Sequence, residues 1–258
     1  MKLRTALRLG RVSNLPTVWT NTLTGAVLAG ATGFGAGFVM MLLAFTLFYT
    51  GGMFLNDAFD AEFDAVHRPE RPIPSGEVSA AGVFRIGFGL MAVSIVLLGW
   101  VGFGFAPRTG VWPALAGAAL AATITLYDWN HKKTPLSPVV MGLCRVLVLL
   151  GAGLCFSVDL PAALWIAAGV LLCYLIGLTY VAKQENLGRA ENLWPLIFLA
   201  APVAYGAWMA TRQPVVGAFW LIFCAWMLIA ASGSITLAGL AVLGFGVTLF
   251  FQRYISGT

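Results

Sequence analysis

The chain has 258 residues, of which 60% are hydrophobic and only 10% charged, and its mean hydropathy is +0.89. That balance excludes a water-soluble domain and requires an integral membrane protein. The net charge of +5 is scattered among segments that flank apolar runs and forms no basic stripe, so the expected partners are phosphates and membrane lipids, with no nucleic acid.

Met1 to Arg11 is basic and is expected to lead straight into a full-length span, with no cleavable signal in between. Apolar runs long enough to cross a hydrocarbon core of ~30 Å then recur along the whole length. We place them at about 15–33, 38–56, 81–105, 111–128, 136–157, 161–182, 193–210, 214–231 and 234–251. The expected fold is therefore all-α, a polytopic transmembrane helical bundle of about nine spans forming one domain over residues 1–258. Only Ser232-Gly233-Ser234 separates the last two runs, which leaves open a tight hairpin, a re-entrant pair or one kinked element. With the N-terminus in the cytoplasm, twelve of the fifteen basic residues fall on the cytoplasmic side, and only Arg108, Arg212 and Arg253 fall opposite. This asymmetry puts every polar motif on the cytoplasmic face, and the expected location is a bacterial cytoplasmic membrane.

The second run ends in Asn56-Asp57-Ala58-Phe59-Asp60-Ala61-Glu62-Phe63-Asp64, which holds four of the chain's ten acidic side chains. Asn56, Asp60 and Asp64 stand at i, i+4 and i+8, so a helix would line them along one face over about 12 Å. Carboxylates that close repel one another, which implies a cation, and an all-oxygen set suits Mg²⁺ completed by substrate phosphates. Asn56, Asp57, Asp60 and Asp64 are the candidate metal residues. The following loop, about 57–80, contains Pro69, Pro72, Pro74 and Gly76. It is expected to break the helix near Arg68 and turn back as a cytoplasmic cap. Arg68 and Arg71 within it would either clamp phosphate oxygens or simply anchor the cytoplasmic end.

Further along, Tyr127-Asp128-Trp129-Asn130-His131-Lys132-Lys133 closes the fourth span. Asp128 is costly there unless paired, and is expected to orient a cation such as Lys132. Arg145 lies two turns or more inside the next apolar run and must face a polar cavity or an acid. Tyr180, Lys183 and Glu185 introduce a second cytoplasmic loop, about 183–192, which has acids but no pair of aspartates. It is a poor metal site, and either a solvated loop or a phosphate-binding lysine suits it. Asn14 and Asn21, near the entry to the first span, share a face and would look into the same cavity. The aromatic content of 13% suits a chamber for an isoprenoid chain or a carbocation, and interfacial belts suit it equally. Cys144, Cys155, Cys173 and Cys224 lie in apolar runs without metal-ligand spacing and are expected to be structural thiols.

These motifs resemble those of the UbiA superfamily of intramembrane prenyltransferases. The likeness rests on N-D-x-x-D-x-x-x-D at Asn56 to Asp64, on His67-Arg68-Pro69-Glu70-Arg71-Pro72-Ile73-Pro74-Ser75-Gly76, on Tyr127-Asp128 with Lys132, and on the Arg11-to-Pro16 entry. Met141 to Arg145 with Tyr180 to Glu185 looks most similar to the branch typified by EboC-like proteins. The resemblance implies a nine-helix bundle, Mg²⁺-dependent cleavage of an allylic diphosphate, and transfer of the isoprenyl group to an aromatic or other acceptor that the motifs do not identify. By position, Asn56, Asp60 and Asp64 would coordinate Mg²⁺, with Asp60, Asp64, Asp128 and Lys132 as the catalytic set. Arg11, Arg68, Arg71, Lys132, Arg145 and Lys183 would hold the diphosphate, while Asn14, Asn21, Tyr127, Tyr180 and Glu185 line the cavity. The family's second aspartate motif is absent after the sixth span, where Lys183 would stand in for a missing metal's charge. A non-catalytic carrier or transporter of polyprenyl lipids is the alternative, and a membrane phosphotransferase is a further one.

Overall fold

The computed structural model describes residues 1–33, 35–132, 134–185, 197–198, 204–205, 208 and 211–212, with the helix backbone alone for 181–185. Every regular element among the described residues is helical: α1 (Leu3–Leu9), α2 (Leu15–Leu28), α3 (Ala36–Phe59), α4 (Ala61–His67), α5 (Ala80–Gly104), α6 (Trp112–Asn130), α7 (Ser137–Leu154) and α8 (Ala162–Glu185). The chain divides into two compact units, Met1–Ala168 with Gly257–Thr258, and Gly169–Ser256. Among the described residues, four helices are long and apolar enough to cross a membrane: α3, α5, α7 and Ala162–Tyr180 of α8. The outward side chains of α5 include Val93, Val96, Trp100 and Phe103, all exposed, a surface that hydrocarbon matches and water does not.

Six of the nine expected spans coincide with helices α2, α3, α5, α6, α7 and α8; of the three beyond residue 192, two lie outside the described residues and 193–210 does so apart from 197–198, 204–205 and 208. Two expectations need correction. The basic N-terminus does not run directly into a span. It forms the separate helix α1, whose Leu9 is fully buried against Phe54, Ala58 and Val83, and a 3-10 turn over Val12–Asn14 links it to α2. The first span is also shorter than 15–33. Helix α2 stops at Leu28, so its 14 residues reach only about 21 Å. Apolar composition continues past that point, but Gly30 takes φ +94, a left-handed conformation that ends a helix.

The core of the first unit is apolar and is built around Met41, Phe45, Phe48 and Leu55 of α3, Leu98 of α5, Leu120 of α6 and Ala152 of α7. Small residues set the helix spacing, as expected where lipid supplies no hydrophobic drive for helices to associate. A Cβ on Gly51 of α3 would stand 2.8 Å from the Gly87 carbonyl oxygen of α5, and one on Gly25 of α2 would collide with the Leu149 carbonyl oxygen of α7. At the end of the bundle formed by the C-terminus of α2 and the N-terminus of α3, an open cavity of about 510 Å³ is lined by Gly30, Ala31, Gly37, Phe38, Phe105 and Phe156.

Candidate functional site

The acidic motif is helical almost throughout. Helix α3 ends at Phe59 and α4 begins at Ala61, yet the Asp60 N–H still donates to the Asn56 carbonyl at 3.0 Å and the Asp64 N–H to the Asp60 carbonyl at 2.8 Å. The i→i−4 bonding therefore continues across the junction and preserves the register of Asn56, Asp60 and Asp64. Helix α4 ends at His67, where Arg68 leaves helical geometry at φ −147, ψ 59. The proline-rich turn after it leads to α5, which Ser79 caps by accepting from the Gly82 N–H at 3.2 Å.

Asn56, Asp57, Asp60, Asp64 and Asp128 are all buried, with Asp64 1% and Asp128 4% exposed. Each has a polar partner on another element. Arg71 Nη1 spans Asp57 Oδ1 at 3.2 Å and Asp64 Oδ2 at 2.8 Å. Arg11 Nη2 reaches Asp57 Oδ1 at 2.9 Å and Asn56 Oδ1 at 3.2 Å. Lys132 Nζ pairs with Asp60 Oδ1 at 2.6 Å and lies 3.7 Å over the Phe63 ring, and His131 Nε2 stands 3.6 Å from Asp60 Oδ2. Asn56 Nδ2 donates to Asp128 Oδ1 at 3.1 Å. Distant segments of the chain are thus tied by paired polar side chains, with Asp57, Asp60 and Asp64 on cations and Asp128 on an amide, as buried polar groups require.

Arg11 arrives there through an uncommon backbone. It sits in the left-handed region at φ 41, ψ 50, a conformation that costs an ordinary residue of order 1–3 kcal/mol and that clusters at functional sites. Helix α1 holds it in place. Thr5 Oγ1 donates to Glu77 Oε2 at 2.9 Å, and Arg8 reaches Glu77 Oε1 at 3.6 Å.

A second polar group lies deeper in the bundle. Tyr49 stands seven residues before Asn56 on α3, about 10 Å further along the axis. Its hydroxyl donates to the Arg11 carbonyl at 3.4 Å, and the guanidinium of Arg145 lies 5.9 Å from its ring. Arg145 Nη2 donates to Thr17 Oγ1 at 3.0 Å. Asn21 Nδ2 donates to the Arg145 carbonyl at 2.7 Å, which ties α2 to α7.

The structure therefore gathers Arg11, Asn56, Asp57, Asp60, Asp64, Arg71, Asp128 and Lys132 into one network and sets Arg145, Asn21 and Asn14 beside it. Arg68 is exposed, and its place on the acids is taken by Arg71. Lys132 pairs with Asp60, while Asp128, expected to orient that lysine, binds Asn56 instead. Tyr127 is at the end of α6, and its hydroxyl lies 3.7 Å from Met141 Sδ. Tyr180 belongs to α8 in the second unit, and the side chains of Lys183 and Glu185 lie outside the described residues. Sequence reasoning missed His131, Phe63, Tyr49 and Thr17. His131 was discoverable, because it precedes Lys132 on the same helix end. An aromatic ring within an apolar run carries no such signal.

Among the described residues no three His, Cys, Asp or Glu side chains converge closely enough to hold a metal ion by themselves. Two carboxylate oxygens are nevertheless buried without a hydrogen-bond partner, Asp64 Oδ1 and Asp128 Oδ2. Mg²⁺ typically takes one or two carboxylates and leaves its other positions to water and substrate phosphates, so the donors present fit that ion.

An apolar helical bundle with carboxylates and guanidinium groups packed at one end is an integral membrane protein with a polar site at that end. The chain belongs to the UbiA prenyltransferase family, whose model matches residues 18–256. It is 31% identical over 224 residues to digeranylgeranylglyceryl phosphate synthase of Methanopyrus kandleri, a match covering 83% of this chain and 74% of that protein. It is 36% identical over 135 residues to the synthase of the same name from Ignicoccus hospitalis, covering 52% of this chain and 41% of that protein. Two solved structures share the fold. One is reported for digeranylgeranylglyceryl phosphate synthase in membranes, with a TM-score of 0.66 at 16% identity over 96% of this chain and 95% of that one. The other is a UbiA homologue from Aeropyrum pernix, with a TM-score of 0.53 at 15% identity over 100% of this chain and 91% of that one. These sources are archaeal and lend no support to the expected bacterial membrane.

Proposed function

We propose that this prenyltransferase moves an isoprenyl group from an allylic diphosphate to the hydroxyl of a glyceryl phosphate lipid, with Mg²⁺ as cofactor. The observation that carries the proposal is the acidic network itself. Five buried acid or amide side chains stand against Arg11, Arg71 and Lys132, with two carboxylate oxygens left without a partner. The acceptor class comes from the relatives' name. A digeranylgeranylglyceryl phosphate, less one prenyl group, is a geranylgeranylglyceryl phosphate.

Asp64, which keeps one oxygen without a partner, and Asp60, whose contacts to Lys132 and His131 would give way to the ion, are the carboxylates we assign to Mg²⁺, with Asn56 beside them. Asp57 is committed to Arg11 and Arg71. The chemistry that bound Mg²⁺ supplies is neutralisation of charge on the leaving diphosphate. Arg11, Arg71 and Lys132 are each only 22–35% exposed at the side chain, and they hold the phosphate oxygens with charge-assisted bonds in a site largely withdrawn from water. The allylic C–O bond breaks, with its electron pair leaving on the diphosphate. The acceptor oxygen then bonds to the allylic carbon and its proton is released, giving an ether, diphosphate and H⁺. Asp128 fixes the Asn56 amide, because Asn56 Nδ2 donates to it while Asn56 Oδ1 accepts from Arg11.

The test is turnover by the purified full chain in neutral nanodiscs with geranylgeranyl diphosphate and geranylgeranylglyceryl phosphate. Release of diphosphate together with a doubly prenylated product is expected with Mg²⁺ and absent with a chelator. Binding of the donor with no diphosphate released would establish the carrier reading instead.

A further inference from the structure

Four cations face the interior of the first unit near the site, and three of them are neutralised. Arg11 and Arg71 rest on Asp57 and Asp64, and Lys132 rests on Asp60. Arg145 is the exception. It stands eight residues into α7, about 12 Å from the helix start, and no carboxylate among the described residues lies within ion-pair distance of it. Of the five N–H donors a guanidinium carries, one is used on a described residue, in the bond to Thr17 Oγ1. That hydroxyl in turn donates to the Asn14 carbonyl at 2.8 Å, so its orientation is set and its lone pair faces the guanidinium. The Tyr49 ring flanks the same group at 5.9 Å, and the Asn21 amide pins the Arg145 backbone through its carbonyl. A guanidinium at this depth in a membrane helix, with donors that no described residue takes, calls for a polar partner.

The identity of that partner follows from where it would sit. Tyr49 joins the two groups, since its hydroxyl bonds the backbone of Arg11, whose guanidinium is on the acidic network. Tyr49 stands about two helical turns along α3 from Asn56, or roughly 10 Å, and Arg145 lies beside its ring. This distance separates two anionic groups on two reacting molecules more naturally than two phosphates of a single diphosphate. We infer that Arg145, with Thr17 and Tyr49, is the subsite that binds the phosphate monoester of the acceptor and selects a phosphorylated alcohol over a neutral one. The assignment rests on the prenyl-transfer reading above and moves Arg145 from the donor's diphosphate to the acceptor.

The experiment compares geranylgeranylglyceryl phosphate with the dephosphorylated geranylgeranylglycerol as acceptors, at fixed geranylgeranyl diphosphate and Mg²⁺, in nanodiscs of neutral lipid. The wild-type chain should prefer the phosphorylated acceptor. Arg145→Gln should lower the ratio of kcat/KM for the two acceptors on the order of tenfold to a hundredfold, chiefly through the acceptor KM. Arg145→Lys should restore part of the preference, and Thr17→Val should reduce it less than the glutamine variant does. A ratio unchanged in Arg145→Gln, or a donor KM that rises as much as the acceptor KM, overturns the assignment. So does an effect of the substitution that appears only after phosphatidylglycerol is added, which would make the occupant a bulk lipid headgroup.

Native mass spectrometry of the same two acceptor lipids on the unreacted chain gives a readout that needs no turnover. Retention of the phosphorylated lipid by the wild type, lost in Arg145→Gln, supports the subsite even if no diphosphate is ever released. Equal retention of both lipids by the wild type sinks the subsite even if transfer proceeds.

Discussion

The two ends of the helical bundle in the first unit are built on opposite plans. At one end, α1, α4 and the termini of α3 and α6 bring together buried acids and cations from distant parts of the chain. At the other, the turn after α2 is glycine-rich, the cavity between it and the turn after α5 is lined by small and aromatic side chains, and the charged residues there, Arg108 and Asp159, are exposed. Burying charge in a membrane protein is expensive, and nothing about closing a helical bundle requires it, as the second end demonstrates. The polar end therefore holds the residues assigned above to chemistry, and the apolar end holds none of them.

The sharpest way to break that contrast is to remove charge from the acidic end while preserving shape. Asp64→Asn should reduce diphosphate release by at least about a hundredfold, in the range seen when a preorganised electrostatic group is lost. Steady-state assay of the purified chain checks it, and near-normal activity would make the acids architectural too. Arg71→Ala comes next. It leaves Asp64 without its cation while Asp57 keeps Arg11, and stranding a buried charge typically costs about 3–5 kcal/mol, so a lower melting temperature in detergent should accompany a raised donor KM.

Gly25→Val tests architecture alone. The added side chain meets the Leu149 carbonyl, and overpacking of this kind typically costs about 1–3 kcal/mol. Thermal unfolding should fall while Mg²⁺ dependence persists. Arg108→Ala at the apolar end should change neither rate nor melting temperature measurably, because the side chain is exposed and the left-handed backbone at φ 60 disfavours arginine and alanine alike.

Much of this contrast was legible in the residues. Four acids in nine positions after an apolar run announced the polar end, and their helical spacing held because the backbone bonds continue through Asp60. The depth of Arg145 likewise announced a polar lining. What escaped notice was the pairing. Two arginines three positions apart, Arg68 and Arg71, carry the same topological signal, and only the turn after His67 decides which one folds back onto Asp57 and Asp64. Tyr49 and Phe63 resemble ordinary core or surface rings until a cation is found beside them. The overlong first span has a related cause, since hydropathy sees composition and Gly30 interrupts backbone geometry without making the segment more polar.

The unbroken hydrogen bonding through Asp60 makes the site sensitive to phase. One residue inserted between Asp60 and Glu62 would rotate everything after it by about 100°, swinging Asp64 away from Arg71 with every acid still present. The turn over 69–78 has no such constraint on its outer residues. Length differences between this chain and sequences sharing its chemistry should therefore accumulate in that turn and be absent from 56–64, so the count of residues there is as much a part of the motif as their identity.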